Sequence, residues 1–119
     1  MHRIPHDLDL SAMRGLEVAQ IAIGQHEVII KFTPEGSITL EGGWVLKDKL
    51  GDVIDRSMEH SDRDSWALHK ILGAKVEGWK VKDSQHLDVF FGDLTLEIED
   101  SFDRYESFSI VHPGVRLYV

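Results

Sequence analysis

Cysteine is absent from the chain, which excludes a disulfide framework and any metal site built on thiolates. The same absence fits a reducing compartment. No run approaches the roughly 18 apolar residues that a membrane-spanning helix needs. The opening Met1-His2-Arg3-Ile4-Pro5-His6-Asp7 lacks the apolar core of a secretory signal, so the expected setting is a soluble protein of the cytoplasm. Lysine and arginine never gather into a stripe, and a phosphate-tracking surface needs such clustering. Nucleic-acid binding is therefore disfavoured.

What is present describes one folded domain, residues 1–119. Hydrophobic residues make up 42% and charged residues 29%, a balance that allows a real core and argues against disorder. Net charge is −8, and each half of the chain carries −4, so there is no acidic tail. Such a surface keeps the protein dissolved and is compatible with a basic protein partner drawn in by steering.

The most informative pattern is a repeat. Gly15-Leu16-Glu17-Val18 and Gly73-Ala74-Lys75-Val76 each open a segment that runs to Phe32 or to Phe90-Phe91. Each segment then closes on Thr-Leu-Glu, at Thr39-Leu40-Glu41 and Thr95-Leu96-Glu97. Two three-strand meanders spanning 15–46 and 73–111, related by a pseudo-two-fold axis, can each bury the other's apolar face.

Period-2 alternation sets the strands. Leu16–Ile23 forms a strand ended by Gly24, and Gln25–Thr33 places Val28, Ile30 and Phe32 on one face. Pro34-Glu35-Gly36 turns the chain. Ile38 and Leu40 point inward, and Gly42-Gly43 breaks or bulges the strand before Trp44-Val45-Leu46 resumes it. In the second half, Val76–Val81 is a strand and Lys82-Asp83-Ser84 a turn. Leu87, Val89 and Phe91 share a face, and Gly92-Asp93 makes a hairpin to Leu94, Leu96 and Ile98. Phe108 and Ile110 alternate with Ser107 and Ser109, and His112-Pro113-Gly114 leads into Val115–Val119. Between the halves, 47–60 is polar and acidic. One helix is expected at about 61–72, starting at Ser61 with Ala67, Leu68, Ile71 and Leu72 as its apolar stripe and Gly73 as its stop. The expected fold is mainly β (α+β): a curved antiparallel sheet, partial barrel or sandwich, with that helix bridging the halves and covering an open edge or barrel mouth.

Catalytic and metal-binding patterns are weak. The seven histidines include no pair four apart on the expected helix and no HExxH, so no metal or cofactor is expected. The acidic run Asp52, Asp55, Glu59, Asp62 and Asp64 lacks the alternating spacing of a calcium loop. Glu41, Glu97 and Glu99 lie on exposed strand faces. Ser107 sits in Tyr-Glu-Ser without a glycine-flanked elbow, and Gly42-Gly43 lacks the Lys-Ser/Thr of a phosphate loop. Trp44, Trp66 and Trp79 are read first as core or core-edge residues, with a binding surface as the alternative.

The elements Gly15 with Val18, Phe32, Thr39-Leu40-Glu41, Ile71-Leu72-Gly73 with Val76, and Tyr105-Glu106-Ser107-Phe108-Ser109-Ile110 cover most of 14–111. On these the chain resembles a family of small bacterial proteins similar to the immunity proteins encoded beside bacterial toxins. The resemblance implies neutralisation by binding and brings no catalytic residues. The acidic stretch 47–60 and the short Phe91-Gly92-Asp93-Leu94 turn depart from it. The expectation is a non-enzymatic binding protein. Its contact patch is Asp52, Asp55, Glu59, Asp62 and Asp64, with Trp79, Tyr105 and Glu106 as further candidates. The rivals are a small-molecule binder or minor enzyme with a cavity in the sheet, and a homodimer pairing sheet edges.

Overall fold

A computed structural model describes residues 3–57, 65–100 and 107–119. Its strands are β1 (Glu17–Ile23), β2 (Val28–Thr33), β3 (Ser37–Leu40), β4 (Trp44–Lys47), β5 (Val53–Arg56), β6 (Gly78–Asp83), β7 (His86–Phe91), β8 (Leu94–Glu99), β9 (Phe108–His112) and β10 (Val115–Tyr118). They form two antiparallel five-stranded sheets. Sheet I has the order β1-β2-β3-β9-β10 and sheet II the order β5-β4-β8-β7-β6. Between barrel and sandwich, the chain adopts two separate sheets around one core.

Alternation sets which side chains enter that core. On β2 and β3, Val28, Ile30, Phe32, Ile38 and Leu40 are buried, while Lys31 and Thr33 are exposed. On β7 and β8, Leu87, Val89, Phe91, Leu96 and Ile98 are buried. Phe32 and Phe91 stack across the gap between the sheets, with ring centroids 6.4 Å apart and planes 8° from parallel.

Both sheets are wired alike. Each is a three-strand meander extended by a hairpin from the other half of the chain: β9-β10 beside β3, and β4-β5 beside β8. Ile38 faces Ile110 on one side as Leu46 faces Leu96 on the other. The two Gly-x-x-Val openings lie against each other. Gly15 N–H donates to Val76 O at 2.8 Å, and Gly73 N–H donates to Val18 O at 2.9 Å. Val18 N–H reaches Ala74 O and Val76 N–H reaches Leu16 O, both at 2.9 Å, so the bonds recur with partners exchanged. Gly15 and Gly73 both have positive φ, 90° and 81°, a region that glycine enters without strain. This pairing also covers part of the β1 edge, which would otherwise offer free backbone groups.

Four local readings shift. Of the break or bulge expected at Gly42-Gly43 the chain makes a break, and Trp44-Val45-Leu46 does not resume the same strand: β3 belongs to sheet I and β4 to sheet II. Glu41 and Gly42 both donate N–H groups to Ser107 O at this crossing, at 2.9 and 2.8 Å. The strand expected at Val76–Val81 enters sheet II only at Gly78, because Val76 is held by Leu16. The following turn sits at Ser84-Gln85, and there Asp83 Oδ1 accepts the Gln85 N–H at 2.8 Å.

The helix expected at 61–72 is the fourth. Residues 61–64 lie outside the described residues, and 65–67 are not helical. Leu68–Ile71 forms a single 3-10 turn. Its i, i+3 spacing suffices to bury both Leu68 and Ile71, and Gly73 is held by Val18 just beyond. Among the described residues no helix is long and apolar enough to cross a membrane.

Candidate functional site

The outer face of sheet II gathers charge. Inward positions alternate with Lys47 on β4, Asp88 on β7 and Glu97 on β8, and Lys82 reaches over from β6. Lys47 Nζ and Lys82 Nζ converge on the same oxygen, Glu97 Oε2, at 3.1 and 2.9 Å. Asp88 stands directly opposite Glu97 in the β7–β8 ladder. Together with Asp48, Asp93 and Thr95 these residues line a shallow depression of about 380 Å³, with Phe90 among its walls.

The two facing carboxylates are pushed in opposite directions. Burial raises the Asp88 pKa above its ordinary 3.8, opposed by Lys82 and reinforced by Glu97. Asp88 Oδ1 is shielded from solvent and has no hydrogen-bond partner among the described residues. The hydrogen bond from Lys82 lowers the Glu97 pKa below 4.5, assisted by Lys47 and opposed by burial.

The signs separate in stability. A raised folded-state pKa makes ionised Asp88 a burden at neutral pH, one that fades as pH falls to 3.8. Asp88→Asn is expected to raise stability at pH 7 by about 0.5 kcal/mol after solvent screening. Glu97 stabilises above pH 4.5 and loses its contribution below it. Glu97→Gln should therefore lower stability at pH 7 by about 0.5–1 kcal/mol and become neutral in acid. Urea unfolding between pH 3 and 7 checks both slopes.

Beside the depression, the β4–β5 hairpin projects from the sheet edge. Asp48 organises its turn: Asp48 Oδ1 accepts N–H groups from Leu50 at 2.9 Å and Asp52 at 3.0 Å. The backbone closes with Gly51 N–H to Asp48 O at 3.0 Å. This leaves Leu50 79% and Val53 52% exposed, the two most exposed of the large apolar side chains described.

Asp52 is on this turn and exposed. Asp55 has a structural engagement: its Oδ2 accepts N–H groups from Ala67 at 2.8 Å and Leu68 at 2.9 Å, holding the start of the 3-10 turn. Trp79 lies on β6, at the opposite edge of sheet II from β5. Its Nε1–H donates to Leu8 O at 3.0 Å, and the Arg14 guanidinium sits 5.1 Å above its ring. Trp79 thus clamps the lead-in segment and does not join Asp52. Glu59, Asp62, Asp64, Tyr105 and Glu106 lie outside the described residues.

Lys47, Lys82, Asp88 and the exposed Leu50 were not singled out from the sequence. Asp48-Lys49-Leu50-Gly51 carries a usable turn signal, an Asp whose side chain binds the backbone two residues on. Trp44 is 3% exposed and stacks on Trp66 at 6.3 Å, a core-edge role. Ser107 is 3% exposed and its Oγ donates to buried Asp100 Oδ1 at 3.2 Å. His86 Nδ1 lies 2.9 Å from Asp83 Oδ1, within hydrogen-bond distance, and Nε2 4.0 Å from Glu99 Oε2. Among the described residues no three histidine or carboxylate side chains gather as metal ligands. Comparison with family models, curated proteins and solved structures gives no significant match.

Proposed function

We propose that this chain is a protein-binding module of the cytoplasm, an immunity-type inhibitor that works by surface contact with a basic protein. The observation that supports this most directly is the β4–β5 hairpin, where exposed Leu50 and Val53 flank Asp52 beside the charged depression of sheet II. An apolar centre with a charged rim is the composition of a contact surface: the centre supplies affinity and the rim steers approach. Asp48, Asp52 and Asp93 provide a rim that suits lysine and arginine on a partner. The same reading takes the chain as an internal duplication, 15–46 and 73–111, whose halves exchange their closing hairpins.

The test uses the tagged full chain and a Leu50→Ser/Asp52→Lys variant as baits in extracts of the source cell. A protein held by the wild-type chain, released at high salt and bound at least ten-fold more weakly by the variant, supports the reading. Equal retention by both baits, or no retained protein, overturns it.

A further inference from the structure

The outer face of sheet I differs from the acidic hairpin and from the mixed charges of sheet II, and its one carboxylate in the pairing registers is Glu17, opposite Thr33 at the β1–β2 end. Pairing registers lay out two rows across its five strands: Gln20-Lys31-Ser37-Val111-Arg116 and Ala22-Ile29-Thr39-Ser109-Tyr118. Neither row contains a carboxylate, in a chain with 21 acidic residues. The central row of sheet II, Arg56-Val45-Glu97-Asp88-Lys80, instead mixes cations with carboxylates. A depression of about 420 Å³ lies on the sheet I face, lined by Lys31, Ser37, Thr39, Val111 and Arg116 among others, again without an acidic member. Lys47 and Lys82 are paired with Glu97, whereas Lys31 and Arg116 have no ion-pair partner among the described residues. Two cations without an ion-pair partner among the described residues thus flank a strip of hydroxyl and β-branched side chains on a protein of net charge −8.

We infer that this face docks an extended acidic segment of a partner protein, by a surface separate from the hairpin. Spacing sets the chemistry. From β2 to β10 is three strand steps, about 14 Å at roughly 4.8 Å each. An extended chain advances about 3.4 Å per residue, so residues i and i+4 lie about 14 Å apart on one side. Carboxylates at i and i+4 therefore reach Lys31 and Arg116, and residue i+2 lies over Ser37 and Val111. The segment that fits is Glu-x-Val-x-Glu or its equivalent. A second copy of this chain laid face to face would oppose like charges, which disfavours self-association here.

The experiment titrates the 15N-labelled full chain with a peptide containing Glu-x-Val-x-Glu. The controls are Lys-x-Val-x-Lys and a scramble with adjacent glutamates. The expected result is saturable shifts of the Lys31, Ser37, Thr39, Val111 and Arg116 amides, weakening with salt. Affinity should fall at least ten-fold in Lys31→Glu/Arg116→Glu and about three-fold for the scramble. Ser37→Lys adds a cation to the same row and should tighten binding about three-fold, so the inference does not depend on the double reversal folding. Equal binding of the lysine peptide, shifts confined to other surfaces, or a concentration-dependent dimer formed through this face would each overturn it.

Discussion

Phe91→Ala is expected to destabilise the protein by roughly 3–5 kcal/mol. Phe91 is 2% exposed at the end of β7, and its ring runs nearly parallel to that of Phe32 of β2 with centroids 6.4 Å apart, so it joins the two sheets across the core. Truncation removes apolar area from a site whose neighbours, strands fixed by ladders on both sides, cannot close the void. A domain of this size has a total stability of about 5–15 kcal/mol, so the loss is a large share of it. It should appear as a fall of roughly 10–20 °C in Tm and as a lower urea midpoint. Phe32→Leu and Phe91→Leu combined in a double-mutant cycle should show a coupling of about 0.5–1.5 kcal/mol beyond burial. A cost below about 1 kcal/mol for Phe91→Ala would mean that the sheets are not held at this contact.

Phe32 and Phe91 also mark what was legible in advance. β2, β3, β7, β8 and β9 carry strict alternation, which antiparallel strands with one wet face must show, so their inward residues could be read directly. Neighbour relations could not. β3 beside β9 and β4 beside β8 join residues far apart in the chain, and local pattern does not encode which sheet a strand enters. Gly42-Gly43 therefore reads equally as a bulge or as a crossover. The same limit hid the charged depression: alternation puts Glu97 outward, but only the strand order brings Lys47 and Lys82 to it. The 61–72 stripe had helical spacing, yet Leu68 and Ile71 reach the core in one 3-10 turn, and i, i+3 spacing fits either conformation.

Asp55 was hidden by a different cause. In the β4–β5 ladder Val53 pairs with Lys47 and Asp55 with Leu46, so β5 takes two steps where β4 takes one. That irregularity reverses the side on which Asp55 lies relative to Val53, and a carboxylate in an acidic run comes to stand opposite a core leucine.

Its removal should therefore act on stability. Asp55→Ala leaves the Ala67 and Leu68 N–H groups without the charged acceptor they share, at a partly buried position. The expected loss is about 2–3 kcal/mol, given the strength of charge-assisted bonds and the penalty for stranded donors. Asp55→Asn keeps one acceptor oxygen and should recover about half of it. Denaturant unfolding measures the loss, and faster amide exchange confined first to Ala67 and Leu68 locates it. A carboxylate acting only as a surface contact would change stability by no more than about 0.5 kcal/mol when replaced. Because Asp52 and Asp55 lie on one hairpin, the two roles divide between neighbours. Weakened binding in Asp55→Ala reports a loosened scaffold, whereas Asp52→Lys, at an exposed turn position, reports the contact itself.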